Sequence, residues 1–242
     1  MKFTYRFLLT FIIFCFTATS VWADISGVWN IRQGGMNMRI DYRDDQHMRM
    51  EMAPGSYLLI QKDKTYAVTN GTVLDLSAMG QQFEAMGLNN LMQQQMEGRA
   101  DKPLAKPEEV LTKTNKTETI AGIKGEIYQL RFKDPQTGKM VNEEIVLTKD
   151  AKLVKLQQAM AKMAQSNMNR MGMAQAPALN DSMQPYLDRG MALLRYGDEM
   201  TLVSITETKL EDSRFELPKG ETAQDPFSGL NQMMQQMMNG RK

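Results

Sequence analysis

Two consecutive runs of alternating apolar and polar residues place the strongest constraint on what this chain can fold into. In "MNMRIDYR" (36–43) and "HMRMEM" (47–52) every second side chain is apolar, and this period of two predicts β-strands with one apolar face. A hairpin through residues 44–46 joins the two apolar faces in one register only, which pairs 42 with 48, 40 with 50 and 38 with 52. A slip of one residue would bring polar side chains into the core.

The same register places charges of opposite sign across the two strands. Asp41 lies opposite Arg49, and Arg39 lies opposite Glu51, on the face that we expect to be exposed to solvent. Such cross-strand pairs stabilise a sheet by a few tenths of a kcal/mol or more. The pattern therefore predicts that Met50→Asp is strongly destabilising, because it buries an unpaired charge, and that Arg49→Asp costs little.

The first half of the chain continues as an antiparallel meander. The Asn70-Gly71 dipeptide is a strong signal for a tight turn between strands. Strands are predicted at "SYLLIQKD" (56–63), "KTYAVT" (64–69) and "TVLDL" (72–76).

A helix is predicted after these strands, with Ser77 as its cap and with Met79, Phe83 and Met86 on one face. The helical phase restarts after Gly87. Residues 98–108 contain glycine, two prolines and mixed charges, which is typical of a linker or a long loop.

The second half of the chain repeats the succession of strands and helix. Strands are predicted at 117–134 and 140–150, with a turn through 134–138 between them, and Val141, Ile145 and Leu147 share one face. A helix follows, in which Leu153, Leu156, Met160 and Met163 stand at helical spacing. We expect a loop over 166–181 and final strands over 200–210 and 214–218.

The N-terminus has the pattern of a secretory signal peptide. Lys2 and Arg6 precede an apolar run of about ten residues, and small residues at 21 and 23 indicate cleavage after Ala23. The apolar run is shorter than the ~20 residues that a membrane-spanning helix needs. Because the single cysteine, Cys15, lies inside this run, the mature chain contains no cysteine. We therefore expect a periplasmic protein with no transmembrane segment after cleavage.

Charge and length restrict the function further. Removing residues 1–23 takes two of the 29 basic residues and none of the 28 acidic ones, so 27 basic and 28 acidic residues leave a net charge near −1. A nucleic-acid partner would require a basic face or stripe, and we expect none. Residues 24–220 suit one domain with a sizeable core, and residues 221–242 form a Met/Gln-rich tail.

Three of the predicted strand texts carry a resemblance. "HMRMEM…YLLIQKDKTYAVT", "TETIAGIKGEIYQL" and the closing "LEDSRFELPKG" resemble exported bacterial proteins of the lipoprotein-carrier superfamily, most closely one of its domain-of-unknown-function families. The resemblance covers about residues 24–220. It implies an α+β fold, in which a strongly curved antiparallel sheet forms an incomplete β-barrel and helices, here Met-rich, cover its concave face. In the carriers this groove receives acyl chains.

No catalytic motif is present in the sequence. The single histidine, His47, is predicted on the solvent face of its strand. The carboxylate pairs at 44–45, 108–109 and 143–144 are adjacent in sequence, and adjacent residues of a strand point to opposite faces. We therefore expect a protein without enzymatic activity, catalytic residues or cofactor.

Methionine is the compositional anomaly, with 23 residues in the chain, because it is not among the common residues of globular proteins. Its flexible side chain fills irregular cores and adapts to varied partners. We predict a binding protein, carrier or chaperone whose Met-lined groove holds a lipid, a lipoprotein or an exposed polypeptide. The predicted groove residues are Met38, Ile40, Met48, Met50, Met52, Phe83, Met86, Leu91, Met92, Met160 and Met163.

Two alternatives use the sulfur atom itself. Thioethers are soft ligands that suit Cu(I), and the tail would supply them from Met233, Met234, Met237 and Met238. Exposed methionine also oxidises reversibly to sulfoxide, so the protein could be an oxidant sink.

A repeated phrase links the tail to the interior of the chain. From 87 to 99 and from 229 to 241, nine of thirteen positions are identical. In the tail, Phe227, Leu230 and the methionines at 233, 234, 237 and 238 form one apolar stripe. A helix this short is marginal alone in water, so we expect it to dock on its own groove, on a second copy of the protein, on an apolar ligand or on a membrane. The alternative is a disordered low-complexity tail.

Overall fold

A computed structural model describes residues 23–32, 35–85, 109–134, 137–170 and 179–219. Eleven strands form one open antiparallel sheet, and a few helices accompany it, as expected for an α+β fold. The order across the sheet is β6-β5-β4-β3-β2-β1-β11-β10-β9-β8-β7. The strands are β1 (Asp24–Ile31), β2 (Met36–Asp44), β3 (His47–Ala53), β4 (Ser56–Gln61), β5 (Lys64–Thr69), β6 (Thr72–Asp75), β7 (Val110–Ile120), β8 (Ile123–Lys133), β9 (Met140–Thr148), β10 (Ala192–Tyr196) and β11 (Met200–Thr208).

Three α-helices lie within the described residues: α1 (Leu76–Ala85), α2 (Ala151–Arg170) and α3 (Leu179–Leu187), and a 3₁₀ turn follows at Asp212–Phe215. Asp150 is the N-cap of α2, because its carboxylate accepts hydrogen bonds from the backbone N–H groups of Lys152 and Leu153 at 3.1 and 3.0 Å. None of these helices is both long and apolar enough to cross a membrane.

The predicted hairpin register is confirmed. Tyr42 pairs with Met48, and Ile40 pairs with Met50. The charged residues are opposed as expected, with position 41 facing 49 and position 39 facing 51. Pairing of these two strands ends there, so the expected pair of 38 with 52 lies beyond the ladder.

A central core joins α2 to both halves of the sheet. On α2, Leu153, Leu156, Ala159 and Met163 are buried. A Cβ on Gly27 of β1 would come within 2.6 Å of the Trp29 ring, so glycine allows this ring and the helix to pack closely. The sheet residues of this core are Ile25, Trp29, Ile40, Tyr42, Met48, Ile120, Val146, Ala192, Leu194 and Leu202.

A second apolar cluster buries the other face of β9 and β10. Ile145 and Leu147 pack with Tyr186 of α3, whereas Val146, between them in sequence, belongs to the central core. Because successive side chains of a strand point to opposite faces, β9 is buried on both sides. This explains why its sequence lacks the clean alternation seen in β2 and β3.

Much of the outer face of β2 and β3 is covered, around Asp41 and Arg49, and the prediction that this face is exposed to solvent was wrong there. A C-terminal strap, residues 209–219, crosses it: Arg214 Nε donates to Asp41 Oδ2 at 2.9 Å, and the Asp41 side chain is fully buried. Arg49 is only 12% exposed, and its guanidinium lies 3.4 Å from the Tyr57 ring centroid. The ground for expecting Arg49→Asp to cost little is therefore lost.

The strap itself was predicted as a strand over 214–218, and that prediction was also wrong. Phe215 ends the 3₁₀ turn and is fully buried. Arg43 lies over its ring, 4.6 Å from the centroid, and also pairs with Asp24 and Asp212 at 3.0 and 2.7 Å. His47, expected on the solvent face, is half-buried and meets the same ring edge-on.

Several boundaries also differ from the sequence-based expectation. Asp75, not Ser77, caps α1, since its carboxylate accepts the Ala78 N–H at 2.9 Å. Ser77 instead accepts the Thr65 N–H. The predicted loop over 166–181 is helical at both ends, in α2 and α3, and β7 begins seven residues before the expected start at 117. β1 and β10 had not been predicted as strands.

Several predicted features lie outside the described residues. They are the signal peptide up to residue 22, both copies of the repeated phrase, the linker at 98–108 and the tail from residue 220 onward.

Candidate functional site

A cleft between the sheet and α2 is the best candidate for a binding site, and we call it the helix–sheet cleft. Its volume is about 260 Å³. One wall is a single cross-strand row, in which Tyr42 pairs with Met48, Met48 with Ile60, and Ile60 with Thr65. The other wall is one face of α2, formed by Ala159, Lys162, Met163, Ser166 and Asn167.

The local sequence explains both walls. Tyr42 and Met48 are apolar positions of the two period-two runs, and Ile60 joins their row through its pairing with Met48. All three therefore lie on the α2 side of the sheet. The helical residues stand at i, i+3, i+4, i+7 and i+8, which is one face of an α-helix. This face changes from apolar to polar along the helix, from Ala159 and Met163 to Ser166 and Asn167.

Polar contacts hold the helix to the sheet on two sides of the apolar floor. Thr65 Oγ1 donates to Asn167 Oδ1 at 2.8 Å. The ammonium of Lys162 pairs with the Asp45 carboxylate, and the Tyr42 hydroxyl donates to the same carboxylate at 3.3 Å. These contacts connect α2 to the β2–β3 turn and to β5. They therefore fix the distance between the two walls of the cleft.

Tyr42 and Asp45 keep the protonation states that their hydrogen bond requires. The hydrogen bond from Lys162 lowers the pKa of Asp45 below its ordinary value. Burial, together with the nearby Asp45 charge, raises the pKa of Tyr42 to about 12. The phenol therefore stays protonated near neutral pH and continues to donate, while Asp45 stays charged.

The chemistry of the lining favours binding. Tyr42, Met48, Ala159 and Met163 are buried residues that present phenyl, thioether and methyl surface to the cavity. The other lining residues are Ile60 and eight polar or charged residues, so the cleft combines a small apolar floor with polar groups that can orient a ligand. Within the described ranges, no three His, Cys, Asp or Glu side chains are grouped as metal ligands.

The structure brings six of the predicted groove residues into one core. Met48 and Met163 line the helix–sheet cleft, and Met38, Ile40, Met50 and Met160 pack in the same central core.

Other predicted groove residues do not join this core or cannot be placed in it. Met52 is 45% exposed. Phe83 belongs to α1, but its side chain is not described, and Met86, Leu91, Met92 and the four tail methionines lie outside the described residues.

Tyr42, Ile60 and Ala159 line the cleft but were not predicted as groove residues. Two of them could have been found, because Tyr42 alternates with Ile40 and Ala159 lies one helical turn before Met163. The contribution of Ile60 depends on the pairing of β3 with β4, which the sequence did not define.

A second, larger depression is less suitable for an apolar ligand. It has a volume of about 760 Å³ and is lined almost entirely by charged residues. Arg32 pairs with Asp198 at 2.8 Å, and Arg195 pairs with Glu118 at 2.8 Å and with Glu144. Because its arginines are already paired with carboxylates of the protein, this surface is best explained as an ion-pair network.

Comparison of the chain with protein families, with curated proteins and with solved structures finds no match.

Proposed function

We propose that this protein is a non-enzymatic binding protein or carrier for an apolar ligand, which it holds in the helix–sheet cleft. The observation that carries the proposal is the apolar floor between two polar contacts, where a row of four paired strand residues faces one side of α2. Met48 and Met163 give this floor an adaptable surface, because the unbranched thioether side chain can take many conformations.

The proposed architecture is a strongly curved sheet, an incomplete barrel with helices on its concave face. Its support comes from β7 and β11, which stand four places apart in the sheet order. In a flat sheet they would be about 19 Å apart at ~4.8 Å per strand. Cα atoms of the two strands nevertheless approach within 8 Å, which favours a bent sheet.

We further propose that the protein is exported and acts in the periplasm. The support is the signal-like pattern of residues 1–23 together with the start of β1 at Asp24. Cleavage after Ala23 would leave β1 and its pairs with β2 and β11 complete.

A substitution that fills the cleft tests the binding function. Ala159→Phe places a ring between the two walls, whereas Gln158→Phe places the same ring on the exposed side of α2. We expect the wild type and Gln158→Phe to bind an apolar fluorescent probe, and Ala159→Phe to lose this binding. Overpacking a core costs about 1–3 kcal/mol, so the Phe variants must be shown to be folded. Circular dichroism provides this control.

Two outcomes would contradict the proposal. One is a wild-type protein that binds neither the probe nor single-chain amphiphiles. The other is probe binding that is unchanged in a folded Ala159→Phe variant, because the probe would then be bound elsewhere.

Copper handling is the second candidate function, since two thioethers, those of Met48 and Met163, line the same cleft. Changing both to leucine keeps the apolar volume and removes the sulfur. Under this alternative, Cu(I) affinity measured under reducing conditions falls in the double variant. A matching change of the four tail methionines to leucine locates any contribution from the tail.

A further inference from the structure

Two turns form the mouth of the helix–sheet cleft. The β2–β3 turn contributes Asp45 and Gln46, and the β4–β5 turn contributes Lys62 and Asp63. The backbone N–H of Lys62 donates to the Gln46 carbonyl at 2.9 Å, so the two turns are joined and form one lip. The charged groups of this lip are therefore held close to the opening of the apolar floor.

Four charged residues lie at the mouth. Two of them form an ion pair with each other, and the other two form none within the described residues. Lys162 and Asp45 neutralise each other. Neither Lys62 nor Asp63 forms an ion pair with any other residue in the described part of the chain. One ammonium and one carboxylate, on consecutive residues, thus remain available beside the cleft.

The backbone conformation of Lys62 is a second, independent reason to expect that its side chain contacts a ligand. Lys62 has a φ of 57°, at the first central position of a two-residue hairpin loop, where glycine is usually preferred. A side chain with a Cβ is strained in this region. The chain nevertheless carries a lysine here, and strained positions of this kind cluster at ligand-binding sites.

The volume of the cleft limits the apolar part of the ligand. A cavity of about 260 Å³ corresponds to about nine water molecules at ~30 Å³ each. This is below the usual range of about 300–1,000 Å³ for pockets that hold drug-sized ligands. The cleft therefore has room for one short alkyl segment, with the polar end of the ligand at the mouth.

We propose that the cleft binds a single-chain amphiphile with a zwitterionic head group of the phosphoethanolamine type. Lys62 contacts its anionic group, and Asp63 contacts its cationic group. A purely anionic head would gain Lys62 but lie beside Asp63, and a purely cationic head would meet the reverse arrangement. The inference rests on the proposed function, because it names the class of ligand for the same cleft.

The experiment compares four ligands of equal chain length, each below its micelle concentration. They are a lysophosphatidylethanolamine, a fatty acid, an alkyltrimethylammonium and a monoacylglycerol, and calorimetry of the full mature chain at low ionic strength gives each Kd. We expect the zwitterion to bind about tenfold more tightly than the neutral ligand, since two charge-assisted contacts are added.

Single substitutions assign that difference to the lip. Lys62→Gln and Asp63→Asn should each lower the ratio of zwitterion affinity to neutral-ligand affinity several-fold. Lys62→Gly removes the amine and relieves the backbone, so a loss of selectivity with an unchanged thermal midpoint is caused by the missing amine. Lys116→Gln is the matched control, because Lys116 is an exposed lysine on β7 and should change nothing.

The results separate this inference from the proposed function. Equal binding of the neutral and zwitterionic ligands, with no effect of the lip variants, overturns the head-group assignment and leaves the apolar site intact. Tightest binding of the fatty acid, strengthened by Asp63→Asn, also overturns it, in favour of an anionic ligand. Binding of none of the four ligands by a folded wild type overturns both proposals.

Discussion

Asp41 is a charged residue in the middle of β2, and its carboxylate is completely shielded from solvent. Three donors surround it: the Ser26 hydroxyl at 2.7 Å, Arg39 Nε at 2.9 Å and the guanidinium of Arg214. Burial alone would raise the pKa of Asp41, but these hydrogen bonds outweigh it and lower the pKa below the ordinary 3.8. A buried carboxylate is tolerated here because its lone pairs are fully used.

Asp41→Asn should destabilise the protein by about 2 kcal/mol, since hydrogen bonds to a charged group contribute about 1.5–3 kcal/mol. Arg214 would then keep only its pair with Glu51, at 3.2 Å. Urea unfolding measures this change. The control is Asp198→Asn, which breaks an exposed pair with Arg32 and should cost less than about 1 kcal/mol. Equal effects of the two substitutions would show that burial of Asp41 contributes nothing.

The same carboxylate should make the protein sensitive to acid. Because the pKa of Asp41 is lower in the folded than in the unfolded state, its stabilising contribution is present above the unfolded value of about 3.9. It is lost as pH falls through the lower, folded value. The urea midpoint of the wild type should therefore approach that of Asp41→Asn between pH 5 and pH 2.5. A constant difference across this range would contradict the assignment.

At the scale of elements, α2 completes the sheet as well as covering it. β10 pairs with β11 only at Arg195 and Tyr196, so Leu193, at the other end of β10, has no partner in β11. The side-chain amide of Gln157 takes the place of the missing strand. Its Nε2 donates to the Leu193 carbonyl and its Oε1 accepts the Leu193 N–H, both at 2.8 Å.

Gln157→Leu should therefore cost more than its similar volume suggests. It leaves a buried N–H and a buried C=O without partners, and each costs about 1–3 kcal/mol. Gln158→Leu is the matched control, since Gln158 is exposed on the same turn of the helix. Thermal unfolding compares the two, and hydrogen exchange at the Leu193 amide should accelerate only in the first variant. A silent Gln157→Leu would mean that this amide does not replace a strand.

The C-terminal strap is the second element that we expect to contribute to the stability of the sheet. Phe215→Ala empties a fully buried position and should cost about 3–5 kcal/mol, whereas Glu216→Ala, at the exposed next residue, should be nearly neutral. Denaturant unfolding of both variants provides the test. If the two variants have the same midpoint, the strap does not stabilise the outer face of β2 and β3.

On the scale of the whole molecule, the first and last strands of the chain lie side by side. β1 pairs with β2 on one side and with β11 on the other, so the centre of the sheet is closed only when residue 208 has been reached. The central core draws on both halves of the chain and on α2. We therefore expect residues 24–219 to unfold as one cooperative unit.

Deleting residues 221–242 tests the tail at this scale. The contacts of the strap with the sheet reach Leu217, so the truncated protein should keep its thermal midpoint. If the tail docks on apolar surface, as its stripe predicts, truncation should increase binding of an apolar fluorescent probe and accelerate amide exchange in the covered strands. Unchanged probe binding and exchange would show that the tail covers nothing.

Local patterns in the sequence were sufficient for the hairpins and for the faces of α2. The strict alternation in β2 and β3 excludes a slip of one residue, which would bury charge, and Asn70-Gly71 sits in the positive-φ turn that it predicts. Six of the predicted groove residues pack in one core because a helical stripe and a strand face must each bury their apolar side. No local pattern indicated β10, in which the backbone of Leu193 is hydrogen-bonded by the side chain of Gln157.

By itself, then, the sequence determined which residues are paired in the β2–β3 hairpin and which face of α2 is apolar, since both follow from spacing along the chain. Only the tertiary structure decided what lies across from them. Asp41 became a buried residue because Arg214, 173 positions later, crosses its face. The helix–sheet cleft likewise exists because α2 returns to the Tyr42–Thr65 row and brings Lys162 to Asp45, 117 positions away. Contacts over such separations depend on the path of the whole chain, and no periodicity in a short window encodes them.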